Sequence, residues 1–342
     1  MLVGFEEEAV QFRDLVRDVL AKECSVERLR ADLKGAQRSR ERWSRLAEVG
    51  LLAATIPEEF GGLGLDGGIM APIAEEIGYA ALPEPVVETI CVVVPLVTQY
   101  ASAADKERWL PAIAAGEVIA TVQLEDMPAA VFGEFADIAL VEHGGVLHIA
   151  ELKANDRVPV PSEDLGTSLA VLRSFGSRLN GSTEPVAEAK ARGAASAAAV
   201  LNGISLRLLD FSVEYALGRE QFGVPIGSFQ AVKHMLAEVY AAIESARPSA
   251  WAAAKAFASG DQDAALSARV AKLAANRAGA LASQYALQVH GGIGFTWEHH
   301  LHIWMKRSKA YETRWGSTRD LRRWLGAVAM DSDDLVETFG PT

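Results

Sequence analysis

The sequence predicts a mainly α protein in which a small β domain sits between an N-terminal helical domain and a C-terminal four-helix bundle. Three observations carry this. Apolar residues recur every three or four positions up to residue 117. Between 118 and about 172 the spacing shortens to two. Helical spacing then returns from 186 to the end of the 342-residue chain. The implied domains are 1–117, 118–180 and 186–342.

Each element has a local reason. In the first domain, Phe12, Val16 and Val19 form one helical stripe and Trp43, Leu46 and Val49 another. The turn Pro57-Glu58-Glu59-Phe60-Gly61-Gly62-Leu63-Gly64 interrupts them, after which Ile73, Ile77 and Trp109-Leu110-Pro111 continue the helical spacing to Gly116. In the second domain, Ala136–Val141 and Val146–Ile149 flank Gly144-Gly145, the pattern of a hairpin. The polar run Gly176–Pro185 reads as the link out of the sheet. In the third, Leu201, Ile204, Leu208, Phe211 and Tyr215 define one amphipathic helix and Val232, Met235, Val239 and Ile243 a second. Leu266, Val270 and Leu273 begin a third, and Leu321, Leu325 and Val328 close a fourth.

Composition narrows the possible functions. A net charge of −12 argues against general nucleic-acid binding, which relies on basic groups meeting phosphates. Cys24 and Cys91 have neither metal nor redox spacing, as in a reduced, cytoplasmic chain. The N-terminus, Met1-Leu2-Val3-Gly4-Phe5 followed by three glutamates, lacks the basic and apolar regions of a signal peptide. The apolar run Ile90–Val97 is too short to span a bilayer, so no membrane role is expected. Seven basic residues between Lys306 and Arg323 read either as a solvated helix face or as a local anion site. His290, His299, His300 and His302 lie close in sequence, but without zinc-type spacing they read as packing or polar surface rather than a metal site.

Two C-terminal stretches carry more. Taken singly, Arg219 reads as a cation at a helix C-terminus and Gly291-Gly292 as a helix stop. Together, Arg219-Glu220-Gln221-Phe222-Gly223 and Gln288-Val289-His290-Gly291-Gly292-Ile293-Gly294-Phe295 resemble the flavin-holding signatures of acyl-CoA dehydrogenases. The order of the three domains is also that family's, and the Pro57 turn and Trp109-Leu110-Pro111 resemble two of its N-terminal elements. The resemblance implies FAD as cofactor. It places Arg219 on the pyrophosphate of a neighbouring subunit's FAD, a task suited to a planar guanidinium, and Phe222 against the cofactor. Gln230 falls at an adenine-side contact, with Gln288, Gly291 and Gly292 beside the diphosphate. The Gly291-Gly292-Ile293-Gly294 run follows a helix, not the first strand of a βαβ unit, so it is no dinucleotide fingerprint.

The family's reaction needs a carboxylate to take the α-proton of an acyl thioester while flavin accepts hydride from the β-carbon. By resemblance the base falls at Trp315 or, in some members, at Gly193. Neither can accept a proton, and the nearby Glu312 and Glu188 are several positions off. The family's flavin-ring loop is represented at best by Leu124–Ala130, and the strand that should back it is missing, because Phe135-Ala136-Asp137 runs directly into a later strand.

The expectation is a chain with no catalytic residue of its own. It would supply a cross-interface FAD grip to a paralogous catalytic subunit in an α2β2 acyl-CoA dehydrogenase. An acyl-CoA, with a steroid side-chain thioester as one bulky candidate, would be the substrate, and an electron-transfer flavoprotein would take the electrons. The alternatives are a self-sufficient homomeric flavoenzyme with an unrecognised base and a non-enzymatic CoA-binding scaffold.

Overall fold

The computed structural model describes residues 7–33 and 40–331. Six α-helices form the N-terminal layer: α1 (Glu7–Glu23), α2 (Val26–Leu33), α3 (Glu41–Glu48), α4 (Met70–Ala80), α5 (Val94–Tyr100) and α6 (Ala103–Ala114). Val16 of α1 and Trp43 and Leu46 of α3 are buried, as their spacing predicts, whereas Phe12, Val19 and Val49 are half-buried and Leu20, outside the predicted stripe, is buried. A π-helical segment, Val87–Val93, leads into α5 and is buried along its whole length, including the acidic Glu88.

The β domain is built from two small sheets. One has the order β1 (Ala120–Gln123), β3 (Ile138–His143), β4 (Val146–Glu151), β7 (Ser177–Arg178). The other has the order β2 (Ala130–Val131), β6 (Leu169–Leu172), β5 (Arg157–Val160). Only β1 and β3 pair in parallel; the other pairings are antiparallel. Gly144 and Gly145 turn the β3–β4 hairpin with φ of 59° and 75°, the left-handed pair that a two-residue hairpin loop needs. The polar run after Gly176 is more than a link, since its Ser177 and Arg178 pair with β4.

The C-terminal part holds α7 (Glu184–Gly218), the short hairpin β8 (Glu220–Gln221) and β9 (Val224–Pro225), then α8 (Gln230–Ser259), α9 (Ala264–His290), α10 (Leu301–Thr313) and α11 (Thr318–Asp331). The fourth bundle helix is α10, not the closing helix expected from Leu321, Leu325 and Val328. α10 buries Leu301, Trp304, Ser308 and Tyr311, and its Trp304 Nε1 donates to Tyr79 O of α4 at 2.9 Å. α11 keeps Val328 and Met330 exposed.

α7 is the axis of the molecule and is rich in alanine and glycine. A Cβ on Gly203 would stand 1.8 Å from Glu75 O, and one on Gly78 would stand 2.0 Å from Val200 O, so α4 and α7 meet backbone to backbone. Among the described residues α7 is also the helix long and apolar enough to cross a membrane, but most of its apolar stretch is buried inside the fold. The run Ile90–Val97 is likewise core.

Candidate functional site

Two sites occupy opposite ends of α7. At its C-terminal end the helix stops at Gly218, and the β8–β9 hairpin turns through Phe222 and Gly223, with φ of 55° and 77°. This turn pushes Phe222 outward until it is 94% exposed, its ring touched edge-on by Phe229 at 6.2 Å. Gln230 opens α8 immediately afterwards. α9 ends at the same place, where Gly291 takes φ 58°, ψ −138°, a conformation open essentially to glycine alone. A Cβ on Gly291 or Gly292 would meet nothing within 4 Å, so both backbones border open space. The two chain segments are held together by Tyr215, one turn before Arg219, which stacks on His290 at 4.5 Å.

Arg219, Phe222, Gln230, Gln288, Gly291 and Gly292 therefore lie at one end of the bundle. Gly291 is partly exposed and the other five are exposed. Among the described residues, the side chains of Arg219, Gln230 and Gln288 bond to no protein group. A free guanidinium, two side-chain amides and unobstructed glycine backbone at two helix ends suit an anionic ligand, and an exposed phenyl ring suits a flat one.

The histidines support this end from beneath. His290 and His299 contact edge-on at 4.7 Å, His299 stacks on His300 at 4.5 Å, and His300 meets Phe211 edge-on at 4.5 Å. Burial lowers the pKa of His290, His299, His300 and His302, that of His300 to about 4 with further help from His299 and Arg207.

The other end lies twenty-six residues back along α7, about 39 Å from Arg219 at 1.5 Å per residue. Here the two positions that could have held a base touch one another. A Cβ on Gly193 would fall 2.2 Å from the Trp315 ring, so the indole lies directly against the bare helix backbone. Trp315 is buried, sits at φ 61°, and leaves its Nε1 without a hydrogen-bond partner.

The loop that presents Trp315 is clamped from α9. Lys272 Nζ donates to Glu312 O at 3.2 Å and Gly316 O at 3.3 Å. Asn276 Nδ2 donates to the same two oxygens at 3.3 and 3.4 Å, and the two side chains are bonded to each other. Burial pulls the Lys272 ammonium down to about 7.

The carboxylates near this end are engaged. Glu188 accepts from Tyr100 Oη at 2.7 Å and Arg192 Nε at 2.6 Å, while Glu312 accepts from Lys309 and, at 3.4 Å, from Thr318. An acidic side chain that the sequence reading missed is Glu88, which faces Arg314, the neighbour of Trp315, at 3.4 Å and whose carboxyl pKa is pushed up by burial. Its signal was a lone acidic residue in an apolar run.

The remnant loop Leu124–Ala130 is a short turn tied down elsewhere. Glu125 accepts from Gly144 N at 2.7 Å, and Asp126 pairs with Lys190 at 2.8 Å. The basic stretch from Lys306 fits neither simple reading. Arg307 is buried against Asp164 and donates to Leu82 O at 2.9 Å and Arg314 pairs with Glu88, whereas Lys309 and the final arginines, 319, 322 and 323, are exposed. Burial alone would raise the Asp164 pKa, but Arg307 outweighs it and holds the carboxyl below its usual range.

A helical layer, a small β domain and a helical bundle, with an exposed grip at the bundle's end, define a flavin-dehydrogenase type of chain. The chain's relatives give the family. Profiles of the acyl-CoA dehydrogenase N-terminal and C-terminal domains match residues 6–117 and 186–329. The acyl-CoA dehydrogenase IpdE2 of Mycobacterium tuberculosis (strain ATCC 25618 / H37Rv) is 33% identical over 95% of this chain and 98% of its own length. Among solved structures, the ChsE4-ChsE5 complex of M. tuberculosis superposes with a TM-score of 0.85 at 23% identity, over 97% of this chain and 100% of that one. A variant of the Tcur3481-Tcur3483 steroid acyl-CoA dehydrogenase gives 0.82 at 23% identity, over 95% and 98%. The chain belongs to the acyl-CoA dehydrogenase family, whose members are oxidoreductases that use FAD.

Proposed function

We propose that this chain is the non-catalytic subunit of a heteromeric, FAD-dependent acyl-CoA dehydrogenase, assembled as α2β2 with a longer paralogue. The contact of Trp315 with Gly193 carries the reading. Both places for a base are occupied by residues that cannot take a proton, and the indole fills the space a carboxylate would need. The grip end supports the complementary role. Arg219 and Gln288 would donate to the pyrophosphate of FAD, Gly291 and Gly292 would let backbone approach it, Gln230 would meet the adenine side, and Phe222 would pack on the cofactor. That end lies about 39 Å along α7 from the chain's own base position, a separation that supports a flavin shared with another subunit.

FAD, where bound, would supply the hydride acceptor, with the base and the ring pocket coming from the partner subunit and a carrier flavoprotein as the electron acceptor. The likeness to the two-name complexes ChsE4-ChsE5 and Tcur3481-Tcur3483, the latter described as a steroid acyl-CoA dehydrogenase, favours a bulky, steroid-derived acyl-CoA as substrate.

Co-purification with the paralogous subunit, followed by a flavin count, tests the reading. The expected result is a colourless, inactive chain alone and a yellow, active complex with one FAD per pair. Flavin loss from the complex on Arg219→Ala is expected. A chain that is yellow and oxidises acyl-CoA on its own, or a complex that retains its flavin with Arg219→Ala, overturns it.

A further inference from the structure

A cavity of about 280 Å³ lies between α4, α5, α7 and α8, at the end of α7 remote from the flavin grip. Met70, Ala71, Ile90 and Ala195 are buried around it, and the buried hydroxyls of Thr55 and Thr98, which have no hydrogen-bond partner among the described residues, also line it. Its rim is polar, with Gln99 exposed and Arg192 partly so, and Phe257 stands beside them.

Arg192 is held in place before any ligand arrives. Its Nε donates to Glu188 at 2.6 Å, and its guanidinium lies over the Phe257 ring, 4.7 Å from the centroid. Glu188 in turn is held by the Tyr100 hydroxyl at 2.7 Å. Among the described residues nothing accepts from the two terminal nitrogens of Arg192. An oriented fork of charged donors above a chamber with an apolar wall of Met70, Ile90 and Ala195 is the complement of an acid with a hydrocarbon tail.

Size decides which acid. A cavity of roughly 150 Å³ holds benzene, so this one holds about ten non-hydrogen atoms. An eight-carbon monocarboxylate fits, whereas a steroid nucleus is too large. We infer that this cavity is a binding site for a free medium-chain monocarboxylic acid, with the carboxylate on Arg192 and the tail between Met70, Ile90 and Ala195. The site is separate from the flavin grip and does not depend on the subunit role proposed above.

Its position gives such a ligand a route to the blocked base position. Arg192 immediately precedes Gly193, on which Trp315 lies. Ile90 and Cys91 share the π-helical segment with Glu88, the partner of Arg314. The cavity therefore borders the α7 turn beneath Trp315 and the π-helical segment that carries Glu88.

Titration calorimetry of the full-length protein with sodium octanoate tests the inference, with 1-octanol and octanoyl-CoA as comparison ligands. Octanoate is expected to bind at one site and more tightly than the alcohol. Arg192→Met should weaken it about tenfold, the scale of one charge-assisted hydrogen bond. Glu188→Gln, which removes a competing carboxylate, should tighten it, and Ala258→Trp at the exposed rim should block it without touching the core. Flavin content of the complex with the paralogue should be the same for Arg192→Met as for the parent chain, so failure here and failure of the subunit reading are distinguishable. Absence of octanoate binding, equal binding of the alcohol, or equal affinity in the Arg192→Met and Ala258→Trp variants overturns the proposal. So does displacement of octanoate by octanoyl-CoA that needs neither Arg192 nor an open rim.

Discussion

The indole of Trp315 rests on the backbone of Gly193, although the two residues come from a loop and a helix far apart in the chain. The contact is possible because one residue has no side chain and the other accepts a left-handed backbone at φ 61°. Each residue therefore sets the cost of changing the other. Gly193→Ala should destabilise the protein by about 1 to 3 kcal/mol through overpacking. In a Trp315→Ala background the same change should stabilise by up to about 1 kcal/mol, since alanine is the better helix former. Denaturant midpoints of the four proteins in this cycle check the reversal of sign.

Phe222 separates assembly from folding. Its ring is almost wholly exposed in the single chain, so Phe222→Ala should change the stability of that chain by less than about 0.5 kcal/mol. Association with the flavin-bearing partner should weaken at the same time, as measured by sedimentation of the mixture.

The histidine ladder beneath the grip makes stability fall in acid. His290, His299, His300 and His302 all have folded pKa values below 6.5, that of His300 near 4. Between those values the unfolded chain binds more protons than the folded one, so stability is complete above pH 6.5 and is lost as pH falls toward 4. His300→Gln should flatten this slope in unfolding curves taken from pH 7 to 4.5.

Lys272 gives a second slope, at alkaline pH. Its folded pKa of about 7 lies below the ordinary 10.5, so its contribution to stability should rise as pH increases through that window. Lys272→Met removes the slope and leaves the Glu312 and Gly316 carbonyls with one donor fewer, at a cost of about 1 to 3 kcal/mol near pH 7.

The buried Arg307–Asp164 pair joins α10 to the β domain. Removing one partner strands a charge, so Asp164→Asn should cost about 3 to 5 kcal/mol. Replacing both with apolar residues of similar volume should recover most of that loss. Thermal melts of the single and double variants distinguish the two cases.

The order of the layers was legible because spacings of three to four and of two are plain in stripes such as Trp43–Leu46 and in the β3–β4 hairpin. α10 was not, because His302, Lys306 and Lys309 interleave with Leu301, Trp304 and Tyr311, and because Arg307 is buried through a partner far away in sequence. Trp315 and Gly193 could each be aligned to a base position, but their contact is a tertiary fact that no local pattern encodes. The same holds for Glu88 and Arg314, whose charges meet only once the π-helical segment and α10 are packed. Arg219, Phe222, Gln288, Gly291 and Gly292 stand in two short motifs and Gln230 a few residues beyond the first, and the structure gathers all six at one end of the bundle.

The glycine seam between α4 and α7 has a mechanical consequence. With carbonyl oxygens well inside van der Waals contact of where a methyl group would sit, there is no soft layer of side chains between the two helices to absorb displacement. The N-terminal layer and the bundle must then shift as a single solid. Any breathing that admits a ligand falls to elements outside this weld, the β domain and the loop after α10, and stiffening the weld further would not slow it.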